Sequence, residues 1–143
     1  MKDQSSTLFE TLIGLTRTIR SAFEHRVEHY GLTFARARLL IIIGRNEGAS
    51  QAELAEEMGI ETPTLKRLLD ALESLGLAVR RPTFGDARKH AVYLTDTARI
   101  EPLLGFRAEA DAKLAEDIPP EDLEVTRRTL KQMAKNAEKL RKA

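Results

Sequence analysis

The chain has 143 residues, 42% apolar and 31% charged, with few aromatics, a composition that excludes a disordered polyelectrolyte and suits one compact domain with or without arms. It holds no cysteine, which removes disulfides, thiolate metal sites and thiol redox sensing, and its longest apolar run, Leu39 to Ile43, is far too short to span a bilayer. Twenty-three basic residues against 22 acidic ones leave a net charge of only +1, and no secretory signal is visible at the start, so a cytoplasmic protein is expected.

Thr7 and Glu10 have the spacing of a capping box. Behind them Leu8, Leu12, Leu15, Ile19, Ala22, Phe23, Val27 and Tyr30 recur every three or four residues, which predicts one long amphipathic helix ending near Gly31. Thr33 is placed to cap a second helix to about Arg45. Its Leu-Leu-Ile-Ile-Ile run is ambiguous with a buried strand, but the cap and the Ala-Arg-Ala-Arg start favour helix at the centre of the core. Ser50 and Glu53 form a second capping box, opening a short helix closed by Gly59. Thr62 is then expected as N-cap and Pro63 as the first helical residue of a fourth helix. Leu65, Leu68, Leu69, Leu72 and Leu75 occupy its inner face, and Lys66, Arg67, Asp70 and Ser74 its outer face, with Thr64 at the edge; Gly76 stops it.

Two short strands are expected at Leu77–Arg81 and His90–Leu94, around a turn at Gly85-Asp86, with Arg88 and Lys89 on or just after the turn. Pro82 confines the first strand to a sheet edge. Thr95 can cap a further helix, which Pro102 should kink or restart, and Pro119-Pro120 breaks the chain again. A last helix carries Leu123, Thr126, Leu130, Met133, Ala137 and Leu140 at heptad-like spacing. The apolar stripes of the first and last helices have little core left to cover, which predicts a two-fold dimer built from both chain ends.

A short capped helix, a second helix with a leucine inner face and a basic outer face, and a basic hairpin together outline a winged helix-turn-helix. The charge distribution agrees: residues 47–61 carry five acids and no base, whereas residues 62–93 carry six bases and three acids. A Lys-Arg pair on a helix is by itself more often a solvated face, but the order and spacing of all three elements reverse that weighting.

The stretches QAELAEEMGIETPTLKRLLDALESLGLAVRR, GDAR and YLT resemble the MarR family of bacterial transcriptional regulators, in particular its SlyA-like members, with GDAR standing as the family's D-x-R wing motif. Across residues 8–141 the resemblance implies a mostly α fold with a small β-hairpin wing. Residues 33–94 would form the winged-helix lobe, and residues 1–32 and 95–143 a helical dimerisation lobe. It implies a homodimer on pseudo-palindromic double-stranded DNA, acting as a repressor or activator, with no cofactor. Thr62, Pro63, Thr64, Lys66 and Arg67 then face the major groove. Ser50 and Gln51 hold a phosphate at a helix start, and Arg88, braced by Asp86, reaches the flanking groove beside Lys89. The family commonly responds to small aromatic or phenolic anions, for which Arg17, Arg20 and Thr33 are the candidate contacts. Many relatives carry Gly near the position of Ala98, and SlyA-like members share a Glu-Pro like Glu101-Pro102.

Three other readings fit these residues less well. His25 and His29 have a metal-compatible spacing, with Glu24 and Glu28 beside them, but neither Cys nor a third His completes a site, and no metal is expected. No Gly-rich phosphate loop, nucleophile with a triad, or HExxH motif is present, which disfavours an enzyme. A winged-helix module that binds only protein is the remaining alternative, and the basic outer face argues against it.

Overall fold

The computed structural model describes residues 7–142. Among these, six α-helices and three strands follow in the order α1 (Leu8–Val27), α2 (Phe34–Arg45), β1 (Ala49–Ser50), α3 (Gln51–Met58), α4 (Thr62–Ser74), β2 (Ala78–Thr83), β3 (Asp86–Leu94), α5 (Glu101–Leu114) and α6 (Pro120–Lys142). A single 3-10 turn, Glu28–Tyr30, extends α1, and Gly31 at φ 77° closes it. The chain divides into two compact units at Leu104/Gly105, so α5 runs through the boundary.

The first unit is built around α2. Ala37 and the run Leu39 to Ile43 are buried, and α2 packs on α1, α3, α4 and β3. Being covered on most sides explains why its sequence is apolar nearly all round, with no simple stripe. Thr33 caps it, accepting from the Arg36 N–H at 3.2 Å, as the sequence predicts. Gly44 ends the run because a Cβ there would meet Ile100 Cδ1 at 2.7 Å and Leu94 Cδ1 at 3.3 Å. On the N-terminal side the Phe23 and Phe34 rings meet edge to face, with centroids 5.4 Å apart.

Leu54, Ala55 and Met58 of α3 and Leu65, Leu69 and Leu72 of α4 complete the core, and no polar or charged residue is buried among the described residues. The sheet order is β1-β3-β2, antiparallel throughout, with Ala49 opposite Val92, Arg80 opposite Val92 from the other side, and Pro82 opposite His90. A register shift follows between Pro82 and Thr83, where proline cannot donate to the ladder.

Several local expectations are corrected. Glu61 is the N-cap of α4, so Thr62 is the first helical residue and Pro63 the second; proline is tolerated there equally, because the first turn has no intrahelical acceptor for its missing N–H. Leu75 is 45% exposed and Leu68 only half-buried, because the helix ends at Leu75 and Gly76, φ 75°, turns the chain away. The wing strands are longer than the apolar runs that announce them: the turn is Phe84-Gly85, and Asp86, Arg88 and Lys89 lie within β3. Thr95 caps no helix. Its hydroxyl donates to the Gly76 carbonyl at 2.6 Å, joined by the Thr97 hydroxyl at 3.0 Å, which ties the end of β3 to the end of α4. Pro102 lies in the first turn of α5, so of the two expected outcomes the helix restarts there.

Helices with uncovered apolar residues occur in both units. On α1 only Phe23 and Val27 are buried, while Leu8, Phe9, Ile13 and Leu15 are exposed. On α6 nothing is buried, and Val125, Leu130 and Leu140 are exposed.

Candidate nucleic-acid interface

The interface begins with the capping box of α3. Ser50 Oγ accepts from the Glu53 N–H at 3.1 Å, and Glu53 Oε1 accepts from the Ser50 N–H at 3.2 Å. These bonds hold the Glu53 carboxyl below its usual range, the Ser50 backbone N–H first and its side chain second, against a small opposing effect of burial.

Helix α4 turns its leucines inward, which sends Thr62, Pro63, Lys66 and Arg67 to solvent. Thr64 is half-buried, and its Oγ1 accepts from Arg67 Nη2 at 3.3 Å, which orients the guanidinium along the outer face of the helix. Asp70 shares that outer face and would repel phosphates, but it is drawn sideways to Arg80 Nη2 at 2.5 Å. The wing supplies the opposite wall. Asp86 Oδ1 accepts from the Arg88 N–H at 3.0 Å and lies 3.7 Å from Arg88 Nε, so the anticipated pairing of these two residues is present.

Between the starts of α3 and α4 and the wing lies an open concavity of about 530 Å³. Ser50, Gln51, Thr62, Lys66, Arg88 and Lys89 line it, bringing together residues from three elements that were singled out separately. Pro63, Thr64, Arg67 and Asp86 lie outside its lining. Arg80, which the sequence reading does not single out, belongs here too: it donates to Gln51 Oε1 at 3.2 Å and lines an adjoining hollow with Lys66, Arg88 and His90. His90 also lines the main concavity. One signal was available, since Arg80 alternates with Ala78 and Pro82 on one face of the edge strand.

The candidate effector contacts lie on α1 and at the start of α2. Arg17 is exposed on α1, the Arg20 guanidinium lies 4.8 Å above the Phe34 ring, and the Thr33 hydroxyl is the α2 cap. A separate cleft of about 190 Å³ in the first unit is lined by Tyr30, Leu32, Leu40, Leu77, Thr97, Arg99, Pro102 and Leu103, and by none of those three. His29 packs against Tyr30 with ring centroids 4.1 Å apart, and no group of three potential metal ligands occurs among the described residues.

The MarR family profile matches residues 30–89, the stretch that holds α2, the helix-turn-helix and most of the wing. A solved transcriptional regulator, PA3341, is 32% identical over 92% of this chain and 98% of its own, with a TM-score of 0.79. The chain belongs to the MarR family. It is a transcriptional regulator of winged-helix fold and not an enzyme. The repressor CouR, solved bound to a 23-mer DNA duplex, is 29% identical over 91% of this MarR-family chain and 94% of its own, with a TM-score of 0.77. The S. aureus MepR–DNA complex, at 19% identity, 94% and 99% coverage and a TM-score of 0.87, shares the fold. No helix among the described residues of this MarR-family regulator is long and apolar enough to cross a membrane.

Proposed function

We propose that this regulator binds pseudo-palindromic double-stranded DNA as a homodimer, in the cytoplasm, and represses by occupying promoter sites. The observation that carries this reading is the concavity in which Lys66, Arg88 and Lys89 face the start of α3. In this arrangement α4 enters the major groove by its first turn, with Thr62, Pro63, Thr64, Lys66 and Arg67 toward the DNA. Arg67 is the residue for a bidentate contact with guanine O6 and N7. Ser50 and Gln51 hold a backbone phosphate at the start of α3, where free N–H groups point outward. Arg88, steadied by Asp86, and Lys89 contact the flanking groove and backbone. The DNA-bound state of CouR supports the reading.

The dimer is built from the terminal helices, residues 1–32 and 95–143, and residues 33–94 read the DNA. The apolar residues left exposed on α1 and α6 support this division. Two recognition helices then lie about 34–36 Å apart, one helical turn of DNA. The Glu101-Pro102 start of α5 supports placement among SlyA-like members. A small aromatic or phenolic anion releases the DNA, with Arg17, Arg20 and Thr33 as its contacts. Such a ligand works only by favouring a dimer spacing unsuited to the operator, since equal affinity for both states shifts nothing.

Selection of bound sequences from random duplex DNA tests the proposal. An enriched inverted repeat with half-sites about 10 bp apart is expected. No enrichment, or enrichment of a single unrepeated half-site, would overturn it.

A further inference from the structure

Phe84 stands at the tip of the wing with 104% relative exposure, more open than any other large apolar residue described. Its ring contributes nothing to the core, and water gains nothing by meeting it, so folding alone gives no reason for a phenyl group there. Its surroundings are specific. Gly85, at φ 90°, makes the tight turn, the Pro82 ring fixes the backbone on the approach, and Asp86 holds the start of the return strand through the Arg88 N–H. An aromatic ring is therefore carried at the end of a short braced arm. Arg88, whose side chain is 95% exposed, and Lys89 lie within five residues of it in the chain.

We propose that Phe84 is a specificity-determining wedge that enters the DNA minor groove beside each half-site and partly opens one base step. This rests on the DNA-binding reading above and deepens it. Charge decides the partner: an apolar tip flanked by cations suits a polyanion that also offers apolar surface. The minor groove provides both, with phosphates along its rims and sugar walls about 6 Å apart, close to the thickness of a ring plus its contacts. Apolar side chains in this position unstack a base step and bend the duplex away, at a cost that depends on the step. Pyrimidine–purine steps such as TA and CA/TG yield most easily, so Phe84 selects for them at a position where no base edge is read by hydrogen bonds.

The test uses the full-length protein and an operator obtained by selection, with 2-aminopurine placed at the flanking step. Phe84→Ala should weaken binding about tenfold, in line with the loss of one aromatic–base contact, while Phe84→Leu retains part of the affinity. The dependence on salt should keep its slope, because no phosphate contact is removed, whereas Arg88→Ala lowers it by about one. The 2-aminopurine emission should rise with the wild type and stay flat with Phe84→Ala. Replacing the flexible step by a stiff A-tract should weaken the wild type and leave Phe84→Ala unchanged. A thermal melt identical to the wild type is expected, since the ring is outside the core. Equal affinity and equal emission for wild type and Phe84→Ala, with Arg67→Ala still weakened, would overturn the wedge and leave the DNA-binding mode standing. If Arg67→Ala also binds as the wild type does, both fall. A change in molecular mass by light scattering in Phe84→Ala, without a change in DNA affinity, would assign the ring to a protein contact and overturn the wedge as well.

Discussion

Arg80 grips Glu73 with main chain and side chain together: its N–H donates to Glu73 Oε2 at 3.1 Å, and its Nε donates to Glu73 Oε1 at 3.2 Å. The same guanidinium reaches Asp70 and Gln51, so one residue of β2 holds α4 and α3 at once. That tie sets the angle between the helix proposed to read bases and the wing proposed to flank it. It also turns Asp70 toward a cation and away from the path of a phosphate.

The grip makes part of the fold's stability depend on acid. The Arg80 side-chain bond holds the Glu73 carboxyl below its ordinary value of 4.5, with a smaller opposing effect of partial burial. A carboxyl depressed in the folded state stabilises fully above its unfolded value, and the contribution is lost as pH falls through the folded one. Stability should therefore decline as pH drops below about 4.5, and Glu73→Gln should flatten that part of the curve. Urea melts at stepped pH measure it. Equal slopes for both proteins would remove Glu73 from the account.

Removing the cation itself should cost more than removing one acceptor. Arg80→Ala leaves Asp70 and Glu73 facing each other without a positive charge and should destabilise by about 1–3 kcal/mol, the usual range for charged, partly buried hydrogen bonds. Arg80→Lys should recover only part, because an ammonium cannot serve Asp70, Glu73 and Gln51 in a planar fork. Denaturant titration at pH 7 gives both values.

Ser50 is placed to serve stability and binding together. Ser50→Ala breaks the capping box of α3 and should cost about 1 kcal/mol. Ser50→Asp restores the cap but sets a negative charge against the DNA backbone. It should therefore match wild type in a thermal melt and bind DNA more weakly than Ser50→Ala. An Asp variant that binds as well as the wild type would remove the start of α3 from the interface.

Gly48 is required by backbone conformation. At φ 90° its N–H donates to the Val92 carbonyl at 2.9 Å, just before β1. Gly48→Ala should destabilise by about 1 kcal/mol or more, since an L side chain rarely adopts that geometry. A melt unchanged by the substitution would show that the turn relaxes freely.

Much of the fold was legible because caps and face patterns are local. Thr7, Thr33 and Ser50 cap where their spacing predicts, and Leu65, Leu69 and Leu72 of α4 are inward. What was missed depends on distant partners. The two residues of β1 are too few to show alternation, and they form a strand only because β3 passes beside them. Thr95 looked like a cap by its neighbours in sequence, but the Gly76 carbonyl, nineteen residues away, claims its hydroxyl. The site shows the same division. Lys66, Arg88 and Lys89 were recognisable by type and spacing, whereas Arg80 acquires its role only when β2 returns along α4.

The proposed dimer uses the uncovered helices. The protein should run at twice its monomer mass by light scattering at micromolar concentration. Leu130→Asp, on α6, should shift it toward the monomer and weaken operator binding together, because one copy spans only half a site. Monomeric wild-type protein would contradict the use of the terminal helices.

The most direct measurement is the operator affinity of the wild type, Lys66→Ala and Arg67→Ala across a series of salt concentrations. For the wild type, log K should fall linearly with log salt; Lys66→Ala should lower the slope by about one and weaken all sequences alike. Arg67→Ala should cost about 1–3 kcal/mol and relax preference at a single base pair in each half-site. Binding indifferent to salt, or base preference untouched by Arg67→Ala, would contradict the docking of α4 in the major groove.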